Sequence, residues 1–186
     1  MERSDLENAA RTAAANAGIA PEVFMGLVHT ESAWNPFAQS PVGAVGLTQI
    51  MPGTWLGWLG MTVEQLWEPV HNLTGGARIL ADELKRFGSY ELALMAYNAG
   101  SPAVRRAIQK AGTENPEEVS KFLPAETRAY WRKVLTWAEH YAGKIDSISA
   151  SVENAGTDVT ETVKDNPAGS ALLLLLIAGI AWKAIR

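Results

Sequence analysis

Residues Glu31 to Trp55 read ESAWNPFAQSPVGAVGLTQIMPGTW. Glu31 is the last charged side chain before Glu64, because Ser32 through Val63 contains no Asp, Glu, Lys, Arg or His. The carboxyl therefore leads into a neutral stretch rich in Trp, Gly and amides, a setting in which a single proton donor can dominate the chemistry.

The residues upstream place that carboxyl on a helix. Pro21 suits the first helical position, where its missing N–H costs nothing, and Phe24, Leu27 and Val28 recur at helical spacing. Glu31 continues their apolar stripe. A carboxyl on the buried face of a helix loses hydration, which disfavours its charged form and raises its pKa. That is how a glutamic acid keeps its proton near neutral pH and serves as a general acid. The alternative from position alone is a salt-bridged or N-cap-like Glu at a helix end.

Downstream, Pro36, Pro41, Gly43, Gly46, Pro52 and Gly53 make the chain turn repeatedly as it leaves this helix. Such loops can bring Ser40, Gln49 and backbone N–H groups round a ligand. Trp34, Trp55 and Trp58 add flat apolar faces with one N–H each; taken singly each reads as a core residue before a platform, since large aromatics dominate ordinary cores. A neutral groove with aromatic faces and amide donors suits an uncharged polar polymer such as a glycan. Phosphate or nucleic acid would ask for cations, and the net charge of −4 offers no basic patch.

Glu31-Ser32, Asn35-Pro36, Ser40, Gly43-Ala44, Gly46-Leu47, Gln49 and Met51-Pro52 together resemble the signature of the soluble lytic transglycosylase (SLT) domain. This is a family of lysozyme-like enzymes that cleave bacterial peptidoglycan. Ala96-Tyr97-Asn98-Ala99-Gly100 resembles the family's central helix, and Leu123-Pro124-Ala125-Glu126-Thr127-Arg128, with Tyr130 and Lys133-Val134, resembles its closing block. The resemblance runs in the family's order over roughly residues 15 to 142. Thr48 and Gly53 stand where the family often has Met and Ala, and Trp131 replaces a common aliphatic residue.

The resemblance implies that Glu31 is the catalytic acid, that Ser40 and Gln49 shape its pocket and contact sugar, and that Gly46 permits close approach. It also implies that Met51, Tyr97, Asn98 and Glu126 line the glycan groove. Tyr97 would hold the substrate acetamido group or Glu31, or else be a core tyrosine at a helix contact. Most glycosidases set two carboxyls across the scissile bond, whereas the neutral stretch here supplies no second one. The implied lyase reaction needs only Glu31, yields a 1,6-anhydro sugar and requires no cofactor. A goose-type-like hydrolase and a non-catalytic glycan-binding or structural virion protein are the alternatives.

The remaining sequence sets the frame. At 186 residues with 47% apolar content, the chain can bury one good core. It has no cysteine, and His29, His71 and His140 form no metal-spaced pair, so no metal site is expected. Ser4-Asp5-Leu6-Glu7 has the form of a capping box opening a helix that ends near Gly18, and nothing there resembles an export leader. Further helices are expected near 63–68, 74–87, 90–99, 101–111, 116–121 and 126–142. Period-2 strands are absent, so the fold class is all-α, lysozyme-like over residues 1–142.

Residues 143–165 carry a thin apolar stripe, Ile145, Ile148, Val152, Ala155, Val159 and Val163, expected to be a linker or a partner-dependent amphipathic helix. From Asn166 to Trp182 no residue is charged, and Leu172 to Ile177 is a continuous aliphatic run. These 17 residues would rise about 25 Å as a helix, close to a ~30 Å hydrocarbon core. The expected reading of 166–186 is a membrane-inserted tail with the enzyme domain facing peptidoglycan; a helix packed in an assembly of copies or virion proteins through 145–185 is the other. The expected context is a phage virion or ejection protein that opens the wall locally, or a bacterial inner-membrane enzyme on the periplasmic face.

Overall fold

A computed structural model describes residues 1–143, and Met1–Ala142 form one compact unit. The expectations for residues 144–186, the membrane tail and the assembly helix among them, lie outside the described residues. Among the described residues no helix is long and apolar enough to cross a membrane.

Proline and glycine mark the helix ends. Pro21 opens α2 (Pro21–Ser32), Pro52 opens α3 (Pro52–Leu59), Pro69 opens α5 (Pro69–Phe87) and Pro116 opens α8 (Pro116–Ser120). Gly18, Gly60, Gly88 and Gly112 adopt left-handed conformations that close α1 (Arg3–Ala17), α3, α5 and α7 (Ser101–Ala111). Between them lie α4 (Val63–Leu66) and α6 (Tyr90–Ala99), each capped at its start by a hydroxyl, Thr62 and Ser89 respectively. A ninth helix, α9, runs from 125 to 143 in its described part. The all-α expectation holds: outside the helices the described backbone makes only two isolated antiparallel bridges, Gln39 to Val45 and Val45 to Ile50.

Three local expectations need correction. Helix α1 starts at Arg3, so its cap is Glu2, whose N–H donates to the Asp5 carboxylate at 3.1 Å. Ser4 and Glu7 therefore sit inside the helix, and Glu7 is buried and paired with Arg3 at 3.0 Å. This register turns Leu6, Ala10, Ala13 and Ala14 to the core. The stretch after Met51, expected to turn, is helical because Pro52 is tolerated at the first position. Leu59 joins Val45, Ile50, Leu66 and Ile79 in a small satellite core, and Trp55 and Leu56 pack against it.

The third correction is that α5 begins at Pro69 rather than near 74. The extra turn carries Asn72, a buried residue whose hydrogen-bonding groups are fully used. Its Oδ1 accepts from the Thr48 N–H (2.9 Å) and hydroxyl (2.7 Å), and its Nδ2 donates to the carbonyls of Val45 and Leu66, both at 2.9 Å. Buried and satisfied polar groups of this kind specify one backbone arrangement. Asn72 thus clips the 43–50 loop onto α5.

Helix α6 has five consecutive buried residues, Leu92 to Ala96, the mark of a central helix. Around it α5 and α7 pack directly, α1 packs on α2 and α5, and α8 packs on α7. Helix α9 meets α2 very closely. A Cβ on Gly26 would lie 2.4 Å from the carbonyl oxygen of Val134 and 2.9 Å from the Ala138 nitrogen, so only glycine allows this backbone-to-backbone approach. The consequence is that the end of α2, with Glu31, lies against α9.

Candidate active site

Glu31 sits in the last turn of α2, and the chain reverses immediately after it. Ala33 and Trp34 both take positive φ (48° and 68°), an uncommon conformation for residues with a side chain that costs of order 1–3 kcal/mol each. Ser32 holds this turn: its hydroxyl lies 3.1 Å from the Val28 carbonyl and 2.8 Å from the Leu47 carbonyl, and accepts from the Trp34 N–H. The adjacent serine therefore ties the α2 end to the 43–50 loop. Trp34 is sent inward as a core residue.

The Glu31 carboxyl accepts a hydrogen bond from the Tyr130 hydroxyl of α9 at 2.6 Å. Its pKa is pushed up from an ordinary 4.5 to about 7, chiefly by burial. The Tyr130 hydrogen bond and the Lys133 charge oppose that rise, while the Glu126 charge adds to it. Tyr97 and Tyr130 are both held above the usual phenol range, by burial first and then by the Glu31 charge, so they stay neutral donors. Near pH 7 Glu31 is poised to give a proton and take one back.

A cavity of about 460 Å³ opens in front of this acid, lined by His29, Thr30, Glu31, Gln49, Lys133 and Trp137 among others. Glu31 is the one carboxylate in that lining. The His29 ring stacks on Trp137 with centroids 3.5 Å apart and 17° between planes. Behind it, the Tyr141 hydroxyl accepts from Trp34 Nε1 (2.8 Å) and from the Arg3 guanidinium (2.9 Å), and lies 2.9 Å from His29 Nδ1.

The expected substrate residues are distributed unevenly. Gln49 lines the cavity, with its own backbone at φ 47° and its amide donating to the carbonyls of Ala38 (3.1 Å) and Gly46 (2.9 Å). Ser40 is part of the neighbouring turn, its hydroxyl accepting from the Ala44 N–H at 2.9 Å. Gly46 is buried at φ 77°, and the close approach it permits is to Asn72: a Cβ there would lie 2.3 Å from Nδ2. Met51 is 36% exposed at the start of α3, and Glu126 is exposed on α9. Asn98 accepts from the Thr127 hydroxyl at 2.7 Å.

Of the places open to Tyr97, the one beside Glu31 is not taken. Its hydroxyl donates to the Thr48 carbonyl at 2.8 Å, and Tyr130 takes the place beside Glu31. Trp58 also lies elsewhere. It is 46% exposed and lines a separate cavity of about 510 Å³ with Arg78 and Lys85. Sequence reasoning did not single out His29, Trp137 or Tyr141. A signal existed, since Tyr130, Lys133, Trp137 and Tyr141 recur at three- and four-residue spacing on one stripe of α9.

The Tyr130 contact carries a pH consequence. Its hydrogen bond favours the ionised carboxylate, so Tyr130→Phe should raise the Glu31 pKa further. With Glu31 as the expected general acid, the alkaline limb of the pH–rate profile is expected to move to higher pH in that variant. An unmoved or acid-shifted limb would remove Tyr130 from the account.

An all-α lysozyme-like domain with one lifted carboxyl facing a cavity of about 460 Å³ defines the class. The Transglycosylase SLT domain profile matches residues 8–120, and the chain belongs to that family. Tyr130 and the rest of α9 lie beyond that match. The transglycosylase of Enterobacteria phage PRD1 is 42% identical over 89 residues, covering 48% of this chain and 32% of that protein. The soluble lytic murein transglycosylase of Escherichia coli K12 is 36% identical over 127 residues, covering 63% of this chain and 20% of that one. The chain thus spans a third or less of the length of these relatives. Among solved structures, an inactive Glu-to-Gln mutant of lytic transglycosylase Slt from Pseudomonas aeruginosa superposes with a TM-score of 0.68 at 31% identity, covering 75% of this chain and 24% of that one. The 70 kDa soluble lytic transglycosylase of Escherichia coli gives 0.68 at 30% identity, covering 77% and 24%.

Proposed function

We propose that this chain is a peptidoglycan lytic transglycosylase that cleaves the β-1,4 bond from N-acetylmuramic acid to N-acetylglucosamine with Glu31 as its acid and base. The observation that carries this reading is the single cavity carboxyl with a pKa near 7, hydrogen-bonded to Tyr130. Protonated Glu31 gives its proton to the glycosidic oxygen as the C1–O bond breaks, and the substrate's 2-acetamido oxygen closes on C1. The C6 hydroxyl then displaces that oxygen at C1 while the Glu31 carboxylate takes the hydroxyl proton. The leaving chain ends in a free 4-hydroxyl, the other in a 1,6-anhydro ring, and Glu31 is protonated again. Gln49 and the cavity wall orient the sugar, with Ser40, Gly46, Met51, Tyr97, Asn98 and Glu126 shaping the loops and groove around it.

The test is mass analysis of digested peptidoglycan. Products are expected 18 mass units (one water) lighter than reducing-end muropeptides, because no water is added in this chemistry. Reducing ends would instead mean hydrolysis. Glu126 favours that second reading only so far as its charge reaches Glu31; it would then serve as the base that activates water.

The wider role rests on the phage relative and on the uncharged run from Asn166 to Trp182. A virion protein that opens the wall locally during genome ejection, held in a membrane by residues 166–186, joins these two features. A version ending at Gly143 is expected to stay soluble and to cleave peptidoglycan at close to the full rate, while the full chain partitions into membranes. Leu174→Arg should weaken that partition by about 2–3 kcal/mol. A full chain that is monomeric and soluble without detergent would end the membrane reading, and oligomers dissolved by truncation would make 145–185 an assembly element.

A further inference from the structure

The Tyr141 hydroxyl has three neighbours within hydrogen-bond distance: Trp34 Nε1 at 2.8 Å, the Arg3 guanidinium at 2.9 Å and His29 Nδ1 at 2.9 Å. The indole and the guanidinium can only donate. They therefore occupy both lone pairs of the Tyr141 oxygen, and its own proton has one direction left. It goes to His29 Nδ1. That nitrogen must then be an unprotonated acceptor, which places the ring proton on Nε2.

Nε2 is the ring nitrogen left free for a ligand. His29 lines the same cavity as Glu31 and is partly exposed there, and among the described residues no protein group accepts from Nε2. Stacking on Trp137 at 3.5 Å fixes the plane of the ring, and the Tyr141 bond fixes its rotation within that plane. The N–H is thus held in one orientation before any ligand arrives, which lowers the ordering cost of a bond made to it.

We propose that His29 is a substrate-binding residue of the Glu31 cavity, its Nε2–H donating to an oxygen acceptor of the glycan, with Tyr141, Trp34 and Arg3 holding the tautomer. The inference rests on the glycan-cleaving reading of the cavity and adds a donor that the family motifs on α2 and the 43–50 loop do not supply. Protonation of His29 is opposed by the same geometry, since a proton on Nδ1 would face a Tyr141 oxygen whose lone pairs are already filled. Burial holds the His29 pKa below its ordinary value, and the charges of Arg3 on α1 and of His140 and Lys133 on α9 act in the same direction. The donor therefore stays neutral while Glu31 on the same helix changes its charge. An uncharged N–H beside a titrating carboxyl can bind sugar without pulling the carboxyl's pKa down, as an imidazolium would.

Two measurements on the full chain test this. Long-range ¹H–¹⁵N correlation of the histidine rings at about pH 8, above the ordinary imidazole pKa, should show His29 in the Nε2–H form, and a proton on Nδ1 would overturn the inference. Binding of soluble uncrosslinked glycan strands is then measured in a Glu31→Gln background, where nothing is turned over. Adding His29→Phe, which keeps the stack on Trp137 but removes the donor, should weaken Kd by roughly fivefold to tenfold. His29→Gln, whose amide N–H can reach the same point, should stay within about twofold. Unchanged Kd for His29→Phe beside intact cleavage by the parent chain sinks this inference alone. His29-dependent binding with no cleavage by the parent sinks the enzymatic reading alone, and a chain that binds no glycan sinks both.

Discussion

Glu31→Gln is expected to lower peptidoglycan cleavage by roughly a thousandfold, the middle of the range for loss of a positioned acid–base group, while making the folded protein more stable at alkaline pH. The amide keeps the shape and still accepts from Tyr130, but it can neither give nor recover a proton. The stability effect follows from the raised pKa of about 7. Below about pH 4.5 the folded and unfolded chains both hold the Glu31 proton, so the group contributes no difference. As pH rises from there towards 7 the unfolded chain releases its proton and the folded chain keeps it, so stability falls. Above pH 7 the buried carboxylate costs on the order of 3 kcal/mol. Urea unfolding at pH 8 should therefore find the Gln variant more stable by up to about that amount, with the gap closing near pH 4.5. Substantial residual turnover would remove Glu31 from the chemistry, and a gap of the same size at both pH values would remove the burial argument.

Gly26→Ala should cost about 3 kcal/mol, the upper part of the range for overpacking. The added methyl meets backbone atoms of Val134 and Ala138, which cannot rotate out of its way as a side chain could. To accommodate it α9 must move off α2, and that movement draws Tyr130 away from Glu31. The loss should appear in urea unfolding and in cleavage together. Gly57→Ala is the control, because a Cβ at Gly57 meets nothing within 4 Å. It should be neutral or stabilising by up to about 1 kcal/mol. Wild-type stability for Gly26→Ala would show that the two helices tolerate a wider separation.

Helix boundaries and the acid itself were legible from residue types because both depend on local physics. Proline in a first turn and glycine just past a last one act through the backbone of their own neighbours, so α2 begins at Pro21, and α6 and α7 end just before Gly100 and Gly112. The isolation of Glu31 could likewise be read from the uncharged run that follows it. Where local signals competed, packing chose between them. The α1 register follows the face that buries Leu6 and Ala10, which put Glu7 inside the helix, and α3 forms over two glycines because Trp55, Leu56 and Leu59 find a satellite core.

The partners of the acid lay beyond local reach. Tyr130 is 99 residues from Glu31, and Tyr141 is 112 from His29 and 138 from Arg3. Which tyrosine donates to Glu31 depends on how closely α9 approaches α2, and that distance is set by the missing side chain of Gly26. The sequence alone established an all-α domain with one acid facing a neutral loop. The three-dimensional packing determined that Tyr130 rather than Tyr97 holds that acid, that Gly46 makes room for Asn72, and that a tyrosine hydroxyl with two donors already on it leaves the His29 ring proton on Nε2. A hydrogen bond's direction is fixed by the full set of neighbours at one point in space, and those neighbours come from α1, α2, the turn after α2, and α9.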